Sequence, residues 1–216
     1  MALKEPGIRP SRRRGLRART PLAPESSVEQ VLPFVQRTYE NLLRHAPKGV
    51  ALFGDSSGCG LAVALYQGLR DMQAPLPIKL MLISPWLDVT CSDPRQAALD
   101  KEDPILAPLG LIEEGRWYAG RLSAKHPSVS PLFGTFGSIP PTLVLTGTHD
   151  LLHADSLRLE SIGNEQGLPI RISIYPRMLH VWPSMPIPEA KRALDEAASL
   201  LQSDPGDWKK FPEDKD

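Results

Sequence analysis

The chain has 216 residues, 25 basic against 25 acidic side chains, and only 6% aromatic residues. A chain of this length buries roughly 70 to 75% of its unfolded surface, so a single domain needs no disulfide or metal staple. Zero formal net charge leaves no global field to hold nucleic acid or an anionic membrane, and no run of about 18 apolar residues exists to span one. Cys59 and Cys91 follow no CxxC spacing, which argues against a zinc ribbon or disulfide framework and for a reducing, cytoplasmic compartment.

Residues 1–20 carry Lys4, Arg9, Arg12, Arg13, Arg14, Arg17 and Arg19 against Glu5 alone, without apolar periodicity. They read as a disordered Arg-rich segment. No apolar stretch follows the arginines, as an export signal would need, and Pro6, Gly7, Pro10 and Gly15 spoil a presequence helix. No aromatic residues interleave with the arginines, so a solvated tail is favoured over a nucleic-acid contact.

The globular pattern runs over 21–203. Val28, Val31, Leu32, Val35, Tyr39, Leu42 and Leu43 recur at helical spacing until Pro47 and Gly49. Val50 to Phe53 is too short for a helix and reads as a buried strand closed by Gly54. A helix over Leu61–Leu69 follows, then a strand over Ile78–Ile83 behind the breaker Pro75-Leu76-Pro77. Further strands are expected over Thr142–Thr146 and Ile170–Tyr175, and helices over Ala154–Glu165 and Pro188–Ser203. Apolar strands alternating with helices imply a mostly parallel sheet covered on both faces, an α/β architecture. Residues 91–139 break the alternation, with a helix only over Leu109–Tyr118. They read as a cap or lid over the carboxyl ends of the strands, with Trp86 and Trp117 supplying apolar wall. Residues 204–216 read as a polar tail.

Gly54-Asp55-Ser56-Ser57-Gly58 lies between the first strand and its helix, the context in which Gly-x-Ser-x-Gly lifts a serine above a sheet. Small residues on either side of Ser56 are expected because larger side chains would strike neighbouring backbone. A serine hydroxyl needs a base, and the base a carboxylate to hold its tautomer. Asp150 follows the third strand and His180 the fourth, so both are expected at the end of the sheet where Ser56 lies. Asp155 competes with Asp150 for the acid role, but its place suits an N-cap of the next helix. His45 and His126 read as structural or solvated. His149 and His153 imitate a zinc-protease motif but sit at a strand end rather than within a helix, so no metal and no cofactor is expected.

These stretches (GDSSGCGLA, SPWLD, DPILAPLGL, HPSVSPLFG, TLVLTGTHDLLHADS and YPRMLHVW) resemble the hormone-sensitive lipase family of α/β-hydrolases, near its bacterial acetyl-hydrolase and lactone-hydrolase branch. Pro21-Leu22-Ala23-Pro24-Glu25 is similar to the family's RLAPE stretch. The resemblance implies an α/β-hydrolase fold with Ser56 as nucleophile, His180 as base, Asp150 as orienting acid and the Ser57 N–H as an oxyanion donor. It also implies a small-molecule ester of a short-chain acid as substrate. Upstream of RLAPE the family carries a strand and a His-Gly-Gly-Gly oxyanion motif that this sequence lacks. The expectation is therefore a fold incomplete at its N-terminal strands, with an exposed sheet edge open to another chain. The alternative is a non-catalytic hydrolase-fold remnant that binds a small apolar ligand or a partner chain.

Overall fold

Four short apolar runs pair side by side: the central two, Lys79–Ile83 and Thr142–Gly147, are buried along their whole length, whereas Ala51–Asp55 and Ile170–Tyr175 are only partly buried, so the Val50–Phe53 run expected as a buried strand is a half-exposed outer strand. The computed structural model describes residues 20–203; the arginine-rich segment up to residue 19 and the tail from 204 lie outside the described residues. The strands are β1 (Ala51–Asp55), β2 (Lys79–Ile83), β3 (Thr142–Gly147) and β4 (Ile170–Tyr175), all parallel and in the order β1-β2-β3-β4. The helices are α1 (Val28–Leu43), α2 (Ser57–Asp71), α3 (Gln96–Leu99), α4 (Pro108–Ala119), α5 (His153–Gln166) and α6 (Pro188–Gln202).

Alternation along β2 divides the core. Leu80 and Leu82 pack with Cys59, Val63 and Tyr66 of α2 and Leu159 of α5, whereas Met81 and Ile83 pack with Ala193, Ala197 and Leu200 of α6. Helices therefore cover both faces. α1 lies outside α2, with Tyr39 against Leu65 and Leu69, and its hydroxyl donates to the Pro75 carbonyl at 3.1 Å. The outer edge of β1 has no partner strand among the described residues, and Phe53 is exposed there. No helix among the described residues is long and apolar enough to cross a membrane.

Residues 91–139 divide into two parts. Leu111, Ala119 and Val129 cluster with Val28, Trp86, Leu151 and Leu152, at the carboxyl end of β3. Leu132, Phe136 and Ile139 instead belong to the main core against α2, where Tyr66 donates to the Gly137 carbonyl at 2.7 Å and Gln67 to the Pro131 carbonyl at 3.0 Å. The second part brings the chain back to the start of β3. Its apolar side chains complete a sheet face, so the overlying region is shorter than 91–139.

Candidate active site

β1 ends two residues earlier in the sequence reading, at Phe53, than in the structure, which carries it to Asp55. α2 begins at once with Ser57, leaving Ser56 alone in the corner with φ 50° and ψ −120°, a conformation L-residues rarely adopt. Its N–H is held by the Ile83 carbonyl at 3.0 Å. Gly54 is sterically required: a Cβ there would lie 2.5 Å from the Gly58 carbonyl carbon and 2.7 Å from the Cys59 nitrogen. Gly58 is not required in that way, since its Cβ would meet only Asp55 Oδ1 at 3.6 Å. The expectation that both flanks must be small thus holds on one side only, because α2 turns its residue 58 away from the strand.

The corner aims Ser56 Oγ at His180, whose Nε2 lies 3.0 Å away. On the other side of the ring, Nδ1 lies 3.1 and 3.2 Å from the two carboxylate oxygens of Asp150. Asp150 is fully buried, while the His180 side chain keeps 10% exposure. Asp150 Oδ1 also accepts the Leu152 N–H at 2.9 Å, which fixes the carboxylate independently of the histidine. The loop bearing His180 comes close to β3 because Gly147 has no side chain; a Cβ there would lie 2.1 Å from the Met178 carbonyl oxygen. That carbonyl accepts the His149 N–H at 3.1 Å, and Thr148 Oγ1 accepts the Arg177 N–H at 2.7 Å.

Ser57 is the first residue of α2, so its N–H has no acceptor within the helix and the helix dipole favours negative charge beside it. It borders a cavity of about 290 Å³ whose walls include Trp86, Val89, Trp117, Tyr118 and Val129, with Leu22 and Ala23 of the RLAPE-like stretch. Trp86 is buried and Trp117 is 47% exposed, so the two indoles form an inner and an outer wall. His153 contacts Thr146 Oγ1 through Nδ1 at 3.0 Å, and His149 faces Glu102 at 3.9 Å, so the two point to different partners. His45 contacts the Asn41 carbonyl, and His126 accepts the Ser128 N–H.

Asp155 departs from its expected part. The residue at the N-cap of α5 is Leu152, and Asp155 sits in the first turn with its Oδ2 accepting the N–H groups of Leu87 and Asp88 at 2.8 and 2.9 Å. Asp103 is a second carboxylate that sequence reasoning passed over: its Oδ2 accepts the Leu151 N–H at 2.7 Å and so braces the turn carrying Asp150. Asp103-Pro104 does mark a turn, but its partner lies 48 residues on, beyond any local pattern.

Residues 13–184 match the family described as alpha/beta hydrolase fold. The chain is 33% identical over 188 residues to an acetyl-hydrolase of Streptomyces hygroscopicus, covering 85% of this chain and 63% of that protein. It is 30% identical over 193 residues to an esterase of Acinetobacter venetianus, covering 85% and 62%. Among solved structures, an esterase from the bacterial hormone-sensitive lipase family superposes with a TM-score of 0.80 at 29% identity, covering 85% of this chain and 63% of that one. The chain thus spans less than two thirds of the length of these relatives.

Proposed function

Since the chain belongs to the α/β-hydrolase fold family, as a hormone-sensitive-lipase-like member, we propose that it is a serine hydrolase cleaving short-chain carboxylic esters. The observation that carries the reading is the continuous hydrogen-bonded line from Ser56 through His180 to Asp150. His180 Nε2 takes the Ser56 proton as Oγ attacks the ester carbonyl, and Asp150 holds Nδ1 protonated and stabilises the imidazolium that forms. The carbonyl oxygen becomes an oxyanion, for which the free Ser57 N–H at the start of α2 is the donor this chain supplies. Collapse expels the alcohol, which takes its proton from His180. Water, deprotonated by the same ring, then releases the acid and restores Ser56.

The cavity that Ser57 borders supports the short-chain reading: its volume of about 290 Å³ lies just below the range of about 300 to 1,000 Å³ usual for small-molecule sites, and its walls are largely apolar. Both favour a short acyl chain. The unpaired thiols, Cys59 buried and Cys91 half-buried, support a reducing, cytoplasmic setting.

The rival reading is a binding protein without turnover, favoured if the Ser57 N–H is the one oxyanion donor available to Ser56. Each missing donor costs about 10² to 10³ in rate. Hydrolysis of p-nitrophenyl acetate and butyrate by the purified chain separates the two. The esterase reading expects slow turnover abolished by Ser56→Ala and by His180→Ala, with the double variant little worse than either because the pair acts as a unit. Turnover that is absent in the wild-type chain, or that survives Ser56→Ala, refutes it.

A further inference from the structure

The residue after β2 stands between the ends of β1 and β3, which lead to Ser56 and Asp150. Ser84 is fully buried and has φ 48°, the left-handed region where glycine or asparagine is the ordinary choice. Its own N–H donates to the Leu145 carbonyl of β3 at 2.9 Å, while the preceding Ile83 carbonyl accepts the Ser56 N–H at 3.0 Å. Its Oγ accepts the N–H of Val181 at 3.0 Å. Val181 directly follows His180, and it too is left-handed, with φ 51°. For a β-branched side chain that conformation is strained and persists only if the surroundings hold it. A hydrogen bond thus joins two strained, non-glycine residues, one on the sheet and one beside the histidine.

We infer that Ser84 is a positioning residue that sets the His180 ring against Ser56 and Asp150 by holding the Val181 N–H, an inference that rests on the reading of His180 as the base. Upstream of His180 the loop is anchored to β3 through the Met178 carbonyl and the Arg177 N–H. Downstream, Ser84 Oγ supplies the anchor from the sheet. An alanine or glycine at 84 could keep the chain path but would lack that oxygen. Val181 would then be free to relax out of the left-handed region, and the His180 ring would turn with it.

Two substitutions in the full chain separate positioning from mere stability. Ser84→Ala removes the acceptor and keeps a strained φ, whereas Ser84→Gly removes the acceptor and relieves the strain. Two readouts are taken beside the melting temperature: steady-state hydrolysis of p-nitrophenyl butyrate, and the low-field proton NMR signal of the His180 Nδ1–H bonded to Asp150, assigned by its loss in His180→Gln. Positioning predicts that kcat falls about 10- to 100-fold in both variants with KM unchanged, since small misplacements of a base cost that much. It also predicts that the low-field signal broadens or disappears in both variants, with a smaller loss of melting temperature in Ser84→Gly than in Ser84→Ala. If Ser84→Ala fails to fold, Ser84→Gly alone decides. A Ser84→Gly chain with wild-type kcat and an unchanged low-field signal overturns the inference. If the wild-type chain shows the signal without turnover, and both variants lose it, positioning stands and the hydrolase reading falls.

Discussion

Replacing Asp155 with alanine should be among the most destabilising single changes in the molecule. The side chain is fully buried, and its Oδ2 is the acceptor for two backbone N–H groups, those of Leu87 and Asp88, in the loop that follows β2. Alanine leaves both donors without a partner away from water. At about 1 to 3 kcal/mol for each unsatisfied buried group, the cost is about 2 to 6 kcal/mol. This cost should depend on pH. Burial, with the nearby charge of Asp88, pushes the Asp155 carboxyl up from 3.8 to about 7 against the pull of its two N–H bonds and of Arg158. A folded-state pKa above the unfolded value contributes stability that is fully present below about pH 4 and is lost as pH rises towards 7. Between pH 5 and pH 8 the loss amounts to about 2 to 3 kcal/mol, at 1.36 kcal/mol per pH unit up to the folded pKa. Asp155→Ala should therefore cost most at pH 5 and least at pH 8. Urea denaturation of both chains followed by circular dichroism at several pH values measures it. A cost below about 1 kcal/mol at pH 5, within the range of ordinary surface changes, or an unaltered pH slope in the variant, would refute the reasoning.

The glycines of the Ser56 corner should behave unequally. Gly54→Ala forces a Cβ to 2.5 Å from the Gly58 backbone and should lose about 1 to 3 kcal/mol or fail to fold, whereas Gly58→Ala in helix α2 should keep or slightly raise the melting temperature; equal effects would contradict the geometry. Gly147→Ala pushes the Met178 carbonyl, and with it the His180 loop, and should lower kcat at least about tenfold, as a 1 Å displacement would; an unchanged kcat in a folded variant counts against this path. Cys91, whose thiol burial and the carboxylates of Asp155 and Asp88 push up to about 12, should alkylate far more slowly with iodoacetamide at pH 8 than a free thiol; labelling at the free-thiol rate, read by mass spectrometry, would disprove it.

Periodicity and punctuation by themselves determined the order of the four strands and of every α-helix except α3, which the sequence reading missed, together with the parallel α/β sheet and the place of Ser56, Asp150 and His180 just past its strands. A strand two-face buried must be short and apolar, a glycine must close a sharp turn, and residues just past parallel strands collect at one edge. Ser56, Asp150 and His180 are legible because each follows such a run. Tertiary structure alone decided what holds them. Ser84 sits between Ile83 and Pro85 with no local mark of its bond to Val181, which lies 97 residues on. Asp155 reads locally as a helix cap, yet its oxygen reaches Leu87 and Asp88 across 68 and 67 residues. Residues 131–139 carry an apolar content that fits a lid as well as a core, and only the packing of Leu132, Phe136 and Ile139 against α2 assigns it. Burial patterns are written into neighbouring residues because backbone geometry repeats every two or 3.6 positions. A hydrogen bond between distant segments obeys no such period, so its partners become visible only when the chain has brought them together.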